Sequence, residues 1–301
     1  MNKFLERLGA GEVLVSDGAT GSNLQKMGLK AGQAPEDLII DHPEVLLELA
    51  SMFAKAGSDI ILTCTFGGTR MKLKHSKYQE RAPELNIRAV ELARKAAASG
   101  GRSNVLVAGS MGPVGDLLDP YGPLEADAVK ATFAEQAKAL AEGGVDLLVI
   151  ETMFALEEAT AAFAGARSVT DLPIVVSFSY DRGTRSMMGV KPEDVMQRYT
   201  EMGANVVGAN CGTTLENMEI IVTDYAGTAP NFPIWAKPNA GVPRLDMETG
   251  QAIYDVTPAD MANFARKYVA LGARIVGGCC GSTPEHVAAM AQAVKGAGQR
   301  S

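Results

Sequence analysis

Cysteine is scarce in this chain, at four in 301 residues, which excludes a disulfide-dense secreted scaffold. Basic residues are in the minority, with 28 Lys and Arg against 35 Asp and Glu. The net charge of −7 therefore lacks the dense basic face that neutralising phosphates requires, and no nucleic-acid partner is expected. No apolar run approaches the roughly 20 residues that span a bilayer, and the first residues, Met1 to Arg7, hold no signal-peptide hydrophobic core. No membrane association is expected, and the reducing cytoplasm is the expected compartment. Histidine is limited to three positions. His42 precedes a helix-start proline, His75 lies in a basic stretch and His286 falls in the first turn of the last helix. They read as surface or capping residues, which argues against a Ser/His or Cys/His hydrolase.

Short β-rich apolar runs do recur along the chain, alternating with longer amphipathic stretches. The expected strands are 13–16, 59–63, 104–108, 146–150, 173–178, 205–209, 233–237 and 274–277, eight in all. Between them the helical pattern runs over 43–55, 82–97, 125–142, 155–167, 192–202, 215–225, 258–271 and 284–294. Continuous apolar strands separated by helices imply a parallel sheet covered by helices. Eight such units over this length predict a single α/β domain, residues 1–301, folded as a (β/α)8 (TIM) barrel. The alternative is an open doubly wound sheet, which usually carries a glycine-rich phosphate loop after its first strand. Asp17-Gly18-Ala19-Thr20-Gly21 imitates that loop only weakly.

In such a barrel the C-terminal strand ends share one mouth, and here those ends gather polar and thiol side chains. The densest is Gly277-Gly278-Cys279-Cys280-Gly281, where two vicinal thiols lie on glycine-rich backbone between a strand and a helix start. A third thiol, Cys211, follows Asn210 at another strand end. Three thiolates with one open position form a catalytic zinc site, so Cys211, Cys279 and Cys280 are the expected Zn²⁺ ligands. Buried cysteines can also be plain apolar filler, but a vicinal pair with a third thiol at a strand end favours the metal. Cys64 also ends a strand and is read as a packing or substrate-contact residue outside the ligand set. Asp17 and Glu151 place two carboxylates in the same mouth, suited to acid–base work or to clamping an ammonium group. Each has a plainer reading as a turn or cap residue.

With these residues in order, the chain resembles the homocysteine-binding, zinc-dependent S-methyltransferase family. The likeness runs from Asp17-Gly18-Ala19-Thr20-Gly21 through Gly109-Ser110-Met111-Gly112-Pro113, Glu151-Thr152, Asn210-Cys211 and Pro238-Asn239-Ala240-Gly241 to the vicinal cysteines. It is nearest to the homocysteine module of cobalamin-dependent methionine synthase. The resemblance implies a (β/α)8 barrel and zinc on Cys211, Cys279 and Cys280. It also implies a homocysteine site in which Asp17 and Glu151 hold the amino group, and amides near Gly18 and after Cys64 hold the carboxylate. Asn210 and Cys64 belong to the same expected substrate site. Two positions depart from the family pattern: Cys64, where asparagine is usual in the methionine synthase type, and Lys237, where glutamate often stands.

The expected reaction is attack of a zinc-bound thiolate, most readily that of homocysteine, on a methyl group. The donor expected is a methylcobamide carried by a separate corrinoid protein. A free sulfonium or betaine donor is the alternative, as is a role in a corrinoid-dependent demethylase system with another substrate. A zinc-storing or redox-sensing thiol protein is disfavoured, because storage has no need of the two carboxylates. The expected partners are a small-molecule thiol and the corrinoid protein, with the oligomeric state left open.

Overall fold

Eight parallel strands form one sheet in the computed structural model, which describes residues 2–30, 32–247 and 252–295. The barrel strands are β1 (Leu14–Val15), β2 (Ile60–Leu62), β3 (Leu106–Met111), β4 (Leu147–Met153), β5 (Ile174–Phe178), β6 (Val206–Asn210), β7 (Ile234–Lys237) and β10 (Ala273–Val276). A small antiparallel hairpin, β8 (Arg244–Leu245) and β9 (Ala252–Ile253), is inserted before β10. The strand order is β1-β10-β7-β6-β5-β4-β3-β2. Its two ends meet through a parallel bridge between Ser16 and Ile60, so the eight strands curve into a (β/α)8 barrel. All eight sequence-expected strands are present, and each expected helix lies within a few residues of its expected bounds. The hairpin was not anticipated, since two-residue strands carry too little periodicity to be seen.

Alternation along the strands builds two apolar layers. Leu147 and Val149 point into the barrel, packed with Leu14, Ile60, Leu106, Ala108, Val175, Val206, Trp235 and Ile275. Leu148 and Ile150 point outward into the larger layer beneath the helices, with Val107, Val176 and Val207. Gly208 admits this packing, because a Cβ there would lie 2.0 Å from the Trp235 carbonyl oxygen. An unanticipated N-terminal helix, Lys3–Gly9, contributes Phe4 to the inner layer. The Asn2 side chain caps that helix by accepting from the Phe4 amide at 2.9 Å, and donates to the Asp146 carbonyl at 2.8 Å.

The inward-facing positions change character along each strand. Apolar residues fill the lower layers, and the last inward position of successive strands is polar: Ser110 on β3, Glu151 on β4, Ser177 on β5, Asn210 on β6 and Lys237 on β7, every one buried. Asp17 follows β1 and Thr63 follows β2 at the same end, and both are buried as well. The hydrophobic layers fix the barrel. The polar layer above them makes the site.

Candidate active site and metal centre

Hydrogen bonds within the barrel mouth settle where each expected residue sits. Ser110 Oγ donates to Glu151 Oε1 at 2.5 Å, and the Ser110 amide donates to Thr63 Oγ1 at 3.1 Å. Asn210 Oδ1 accepts from Ser177 Oγ at 2.6 Å and from the Thr152 amide at 2.9 Å. Asn210 Nδ2 donates to Thr152 Oγ1 at 2.7 Å and stands 3.5 Å from Glu151 Oε2 and 3.8 Å from Cys279 Sγ. One buried amide therefore ties Glu151 to the sulfur cluster. Burial pushes the Glu151 carboxyl above its ordinary range, while Lys237 and the Ser110 hydrogen bond pull it back in part.

Backbone geometry aims the sulfurs. The register of β4 against β5 shifts between Ile150 and Met153, and Thr152 there has φ 61°. Cys211, immediately after β6, has φ 59°. Left-handed backbone at a threonine and a cysteine costs on the order of 1–3 kcal/mol each and persists only where the surroundings enforce it. The Cys211 amide is held by the Lys237 carbonyl at 3.1 Å. The vicinal pair is held from both sides: the Cys279 amide donates to the Pro238 carbonyl at 2.8 Å, and the Ala240 amide donates to the Cys280 carbonyl at 2.9 Å. Ser282 Oγ donates to the Cys279 carbonyl at 2.7 Å. Gly281 is required by this turn, with φ 82° and a Cβ position only 2.2 Å from the Tyr254 ring.

The three sulfurs of Cys211, Cys279 and Cys280 consequently lie within 4.8 Å of one another, with Cys211 and Cys280 3.8 Å apart. Two thiolates on a tetrahedral zinc at about 2.3 Å are separated by about 3.8 Å, so the set fits that ion. The Cys211 and Cys280 thiols are each pushed up to about 12. For Cys211, hydrogen bonding to Cys279 lowers the value, but the Cys280 contact and burial raise it by more. For Cys280, hydrogen bonding to Cys211 lowers it, and the Cys279 contact and burial again raise it by more. Three crowded thiols that resist ionisation alone are suited to a cation that binds all three as thiolates. Cys64 is not part of this cluster. Its thiol is pushed up by burial and then by the Glu36 carboxylate.

A cavity of about 400 Å³ adjoins the sulfurs, lined by Gly18, Cys64, Glu151, Lys237, Cys279 and Cys280 among others. Glu36, one of its residues, escaped the sequence reading, and Lys237 was read there only as a departure from the family pattern. Glu36 is buried, accepts the Gly67 amide at 2.6 Å, and is pushed up by burial. Lys237 is buried and pairs with Asp17 at 2.8 Å across 220 residues of sequence. Burial lowers the Lys237 pKa, but Asp17 and Glu151 raise it by more, so the ammonium stays charged. Asp17 also accepts from the Leu62 amide at 2.8 Å and from Ser16 Oγ at 3.2 Å. A lysine following apolar residues at a strand end was the available signal for this partner. The histidines stay out of the site, as expected: His42 and His75 are exposed, and His286 is a buried cap residue whose Nδ1 accepts the Thr283 amide at 3.1 Å. A second groove, of about 620 Å³, reaches the first cavity at Cys211 and Thr152 and is lined by Phe66, Tyr121, Phe154 and Met187 with Asp116 and Asp181. Among the described residues no helix is long and apolar enough to cross a membrane.

Several solved structures share this fold. The metallated form of the homocysteine methyltransferase MmuM from Escherichia coli superposes with a TM-score of 0.82 at 24% identity, over 96% of this chain and 99% of that one. Its oxidized form gives a TM-score of 0.81 at 24% identity with the same coverage. A methyltransferase from Methanosarcina mazei gives 0.63 at 14% identity, over 98% of this chain and 97% of that one. These likenesses establish the barrel. The sequence profile described as homocysteine S-methyltransferase matches residues 14–294, nearly the whole chain, and the protein therefore belongs to the homocysteine S-methyltransferase family and is an S-methyltransferase.

Proposed function

We propose that this S-methyltransferase takes a thiol acceptor, homocysteine in the first instance, into the cavity beside a Cys211-Cys279-Cys280 zinc site and methylates its sulfur from a methylcobamide carried by a separate corrinoid protein. The convergence of three sulfurs at the edge of a buried polar cavity carries the reading. Bound zinc would supply the Lewis acidity that strips the acceptor thiol of its proton at neutral pH, where a free thiol of pKa about 8.5 is mostly protonated. The chain's own residues do the rest. Asn210 links Glu151 to the ligand cluster, while Glu151, Gly18 and Cys64 line the acceptor's berth and Asp17 backs it through Lys237. Burial of these groups keeps water from the reacting sulfur and fixes its approach.

The donor side faces the second groove. Its open apolar rim, with Tyr121 69% and Met187 53% exposed, suits a broad flat donor. The same groove supports a second reading, since Phe66, Tyr121 and Phe154 beside Asp116 and Asp181 also suit a small sulfonium or betaine cation. Mixing the zinc-loaded protein with methylcobalamin and homocysteine decides between them by the cobalt absorbance. Demethylation of the cobalamin is expected. An unchanged spectrum with rapid methionine formation from S-methylmethionine would assign the small donor instead.

A further inference from the structure

The loop between β1 and the helix Gly21–Lys26 meets the turn that carries Cys279 and Cys280 at one wall of the cavity, which Gly18, Ala19, Cys279 and Cys280 all line. Ser282, fully buried and three residues after Cys279, joins the two segments. Its Oγ donates to the Cys279 carbonyl at 2.7 Å and accepts from the Ala19 amide at 3.1 Å, across 263 residues of sequence. Its carbonyl accepts from the same Ala19 amide at 3.3 Å and from Asn23 Nδ2 at 2.9 Å. Asn23 Nδ2 also donates to the Ala19 carbonyl at 2.6 Å.

A hydroxyl has a single proton and two lone pairs. Both of its roles here are forced, because the Cys279 carbonyl can only accept and the Ala19 N–H can only donate. The two bonds therefore form a chain in which each polarises the other. Packing holds the hydroxyl in place: a Cβ at Gly18 would lie 2.9 Å from Ser282 Oγ, and one at Gly278 only 2.3 Å from it. The Gly278 amide adds a bond to the Asp17 carbonyl at 3.1 Å, and the Gly281 amide one to Ser22 Oγ at 3.0 Å. The separation between the sulfur cluster and residues 17–20 is thereby set by the protein's own buried hydrogen bonds. An acceptor anchored by its sulfur at the three cysteines and by its amino-acid end at that loop must span a preset gap. One methylene too few in a fitted site discriminates by roughly 10- to 200-fold.

Resting on the thiol-acceptor reading above, we propose that Ser282 is a positioning residue that sets the span of the acceptor site, and that through it the chain selects the four-carbon amino thiol homocysteine over its three-carbon homologue cysteine. Ser282 acts through the Cys279 carbonyl and the Ala19 amide and has no contact of its own with the acceptor. Without the hydroxyl, the Ala19 amide keeps only the longer bond to the Ser282 carbonyl, and the gap is no longer held at one width. The longer thiol then loses the benefit of a preorganised site, while the shorter one can reach both anchors.

Calorimetric titration of the zinc-loaded full chain with homocysteine and with cysteine tests this without any donor. The wild type is expected to bind homocysteine at least about tenfold more tightly than cysteine. Ser282→Ala should reduce that ratio about fivefold or more, with zinc stoichiometry and far-UV circular dichroism as in the wild type. Asn23→Ala, which releases the carbonyl side of the same link, should move the ratio in the same direction and serves where the first variant folds poorly. An equal loss of affinity for both thiols would show a residue that only supports the fold, and so would overturn the inference. An unchanged ratio, or a wild type that binds cysteine as tightly as homocysteine, would overturn it as well and leave the thiol-acceptor reading intact. Failure of the wild type to bind either thiol would overturn that reading and the inference with it.

Discussion

Replacing Asp17 by asparagine tests how the mouth of the barrel is held together. The Asp17 and Lys237 side chains are 4% and 3% exposed and meet at 2.8 Å, so neither charge can turn to solvent when its partner is lost. Removing one member of a buried pair costs about 3–5 kcal/mol, because the other charge remains desolvated and uncompensated. Unfolding entropy of about 2.1 cal/mol/K per residue gives about 0.6 kcal/mol/K for a chain of 301 residues. Asp17→Asn is therefore expected to lower the Tm by about 5–8 °C, and Lys237→Met by a similar amount. The side-chain amide oxygen introduced by Asp17→Asn can still accept from the Leu62 N–H, so the lost stability reports the charge rather than that hydrogen bond. In the double variant both charges are gone, and an apolar or neutral replacement of a buried pair is often nearly neutral. Scanning calorimetry of the wild type, both single variants and the double variant closes the cycle. Recovery of most of the lost Tm in the double variant is expected. Single-variant shifts below about 2 °C that add in the double variant would refute a coupled buried pair.

Two further outcomes follow from the site. Cys279→Ser or Cys280→Ser should abolish stoichiometric zinc and methyl transfer while leaving the far-UV circular dichroism of the barrel intact, since the thiols sit above its apolar layers; zinc retained in a Cys211/Cys279/Cys280 triple variant would refute the ligand assignment. Glu36 carries a carboxyl raised by burial, so the folded state binds its proton more tightly than the unfolded chain does. That contribution is fully present below the unfolded pKa of about 4.3 and is lost as pH rises toward the folded value. Glu36→Gln, which cannot ionise, should accordingly gain stability over the wild type as pH rises above that point, by at most about 1.4 kcal/mol per pH unit until the folded pKa is passed. Equal Tm differences at acidic and mildly alkaline pH would show that Glu36 ionises as freely in the fold as outside it.

Sequence alone determined the barrel, because each of its strands is an apolar run whose neighbours in the chain are helices, and parallel strands buried on both faces can be read without knowing what they touch. The strands from Leu106, Leu147, Ile174 and Val206 were legible in that way, and so were the helix starts marked by Pro43, Pro192, Pro258 and Pro284. The vicinal pair Cys279-Cys280 was equally legible, since two thiols in a glycine-rich strand-to-helix turn have few other uses. The sequence reading grouped Cys211 with them and set Cys64 apart, and the tertiary structure supplied the physical reason. Both follow apolar strands, and only the barrel order, with β6 next to β7 and β7 next to β10, brings one thiol to the pair and leaves the other across the cavity. The structure alone decided the charge of the mouth. Asp17 has no basic neighbour in sequence, yet its partner Lys237 is 220 residues away and next to it in space. Local pattern reports which face of an element is buried. Pairing between side chains at different strand ends depends on closure of the barrel, which no local window contains.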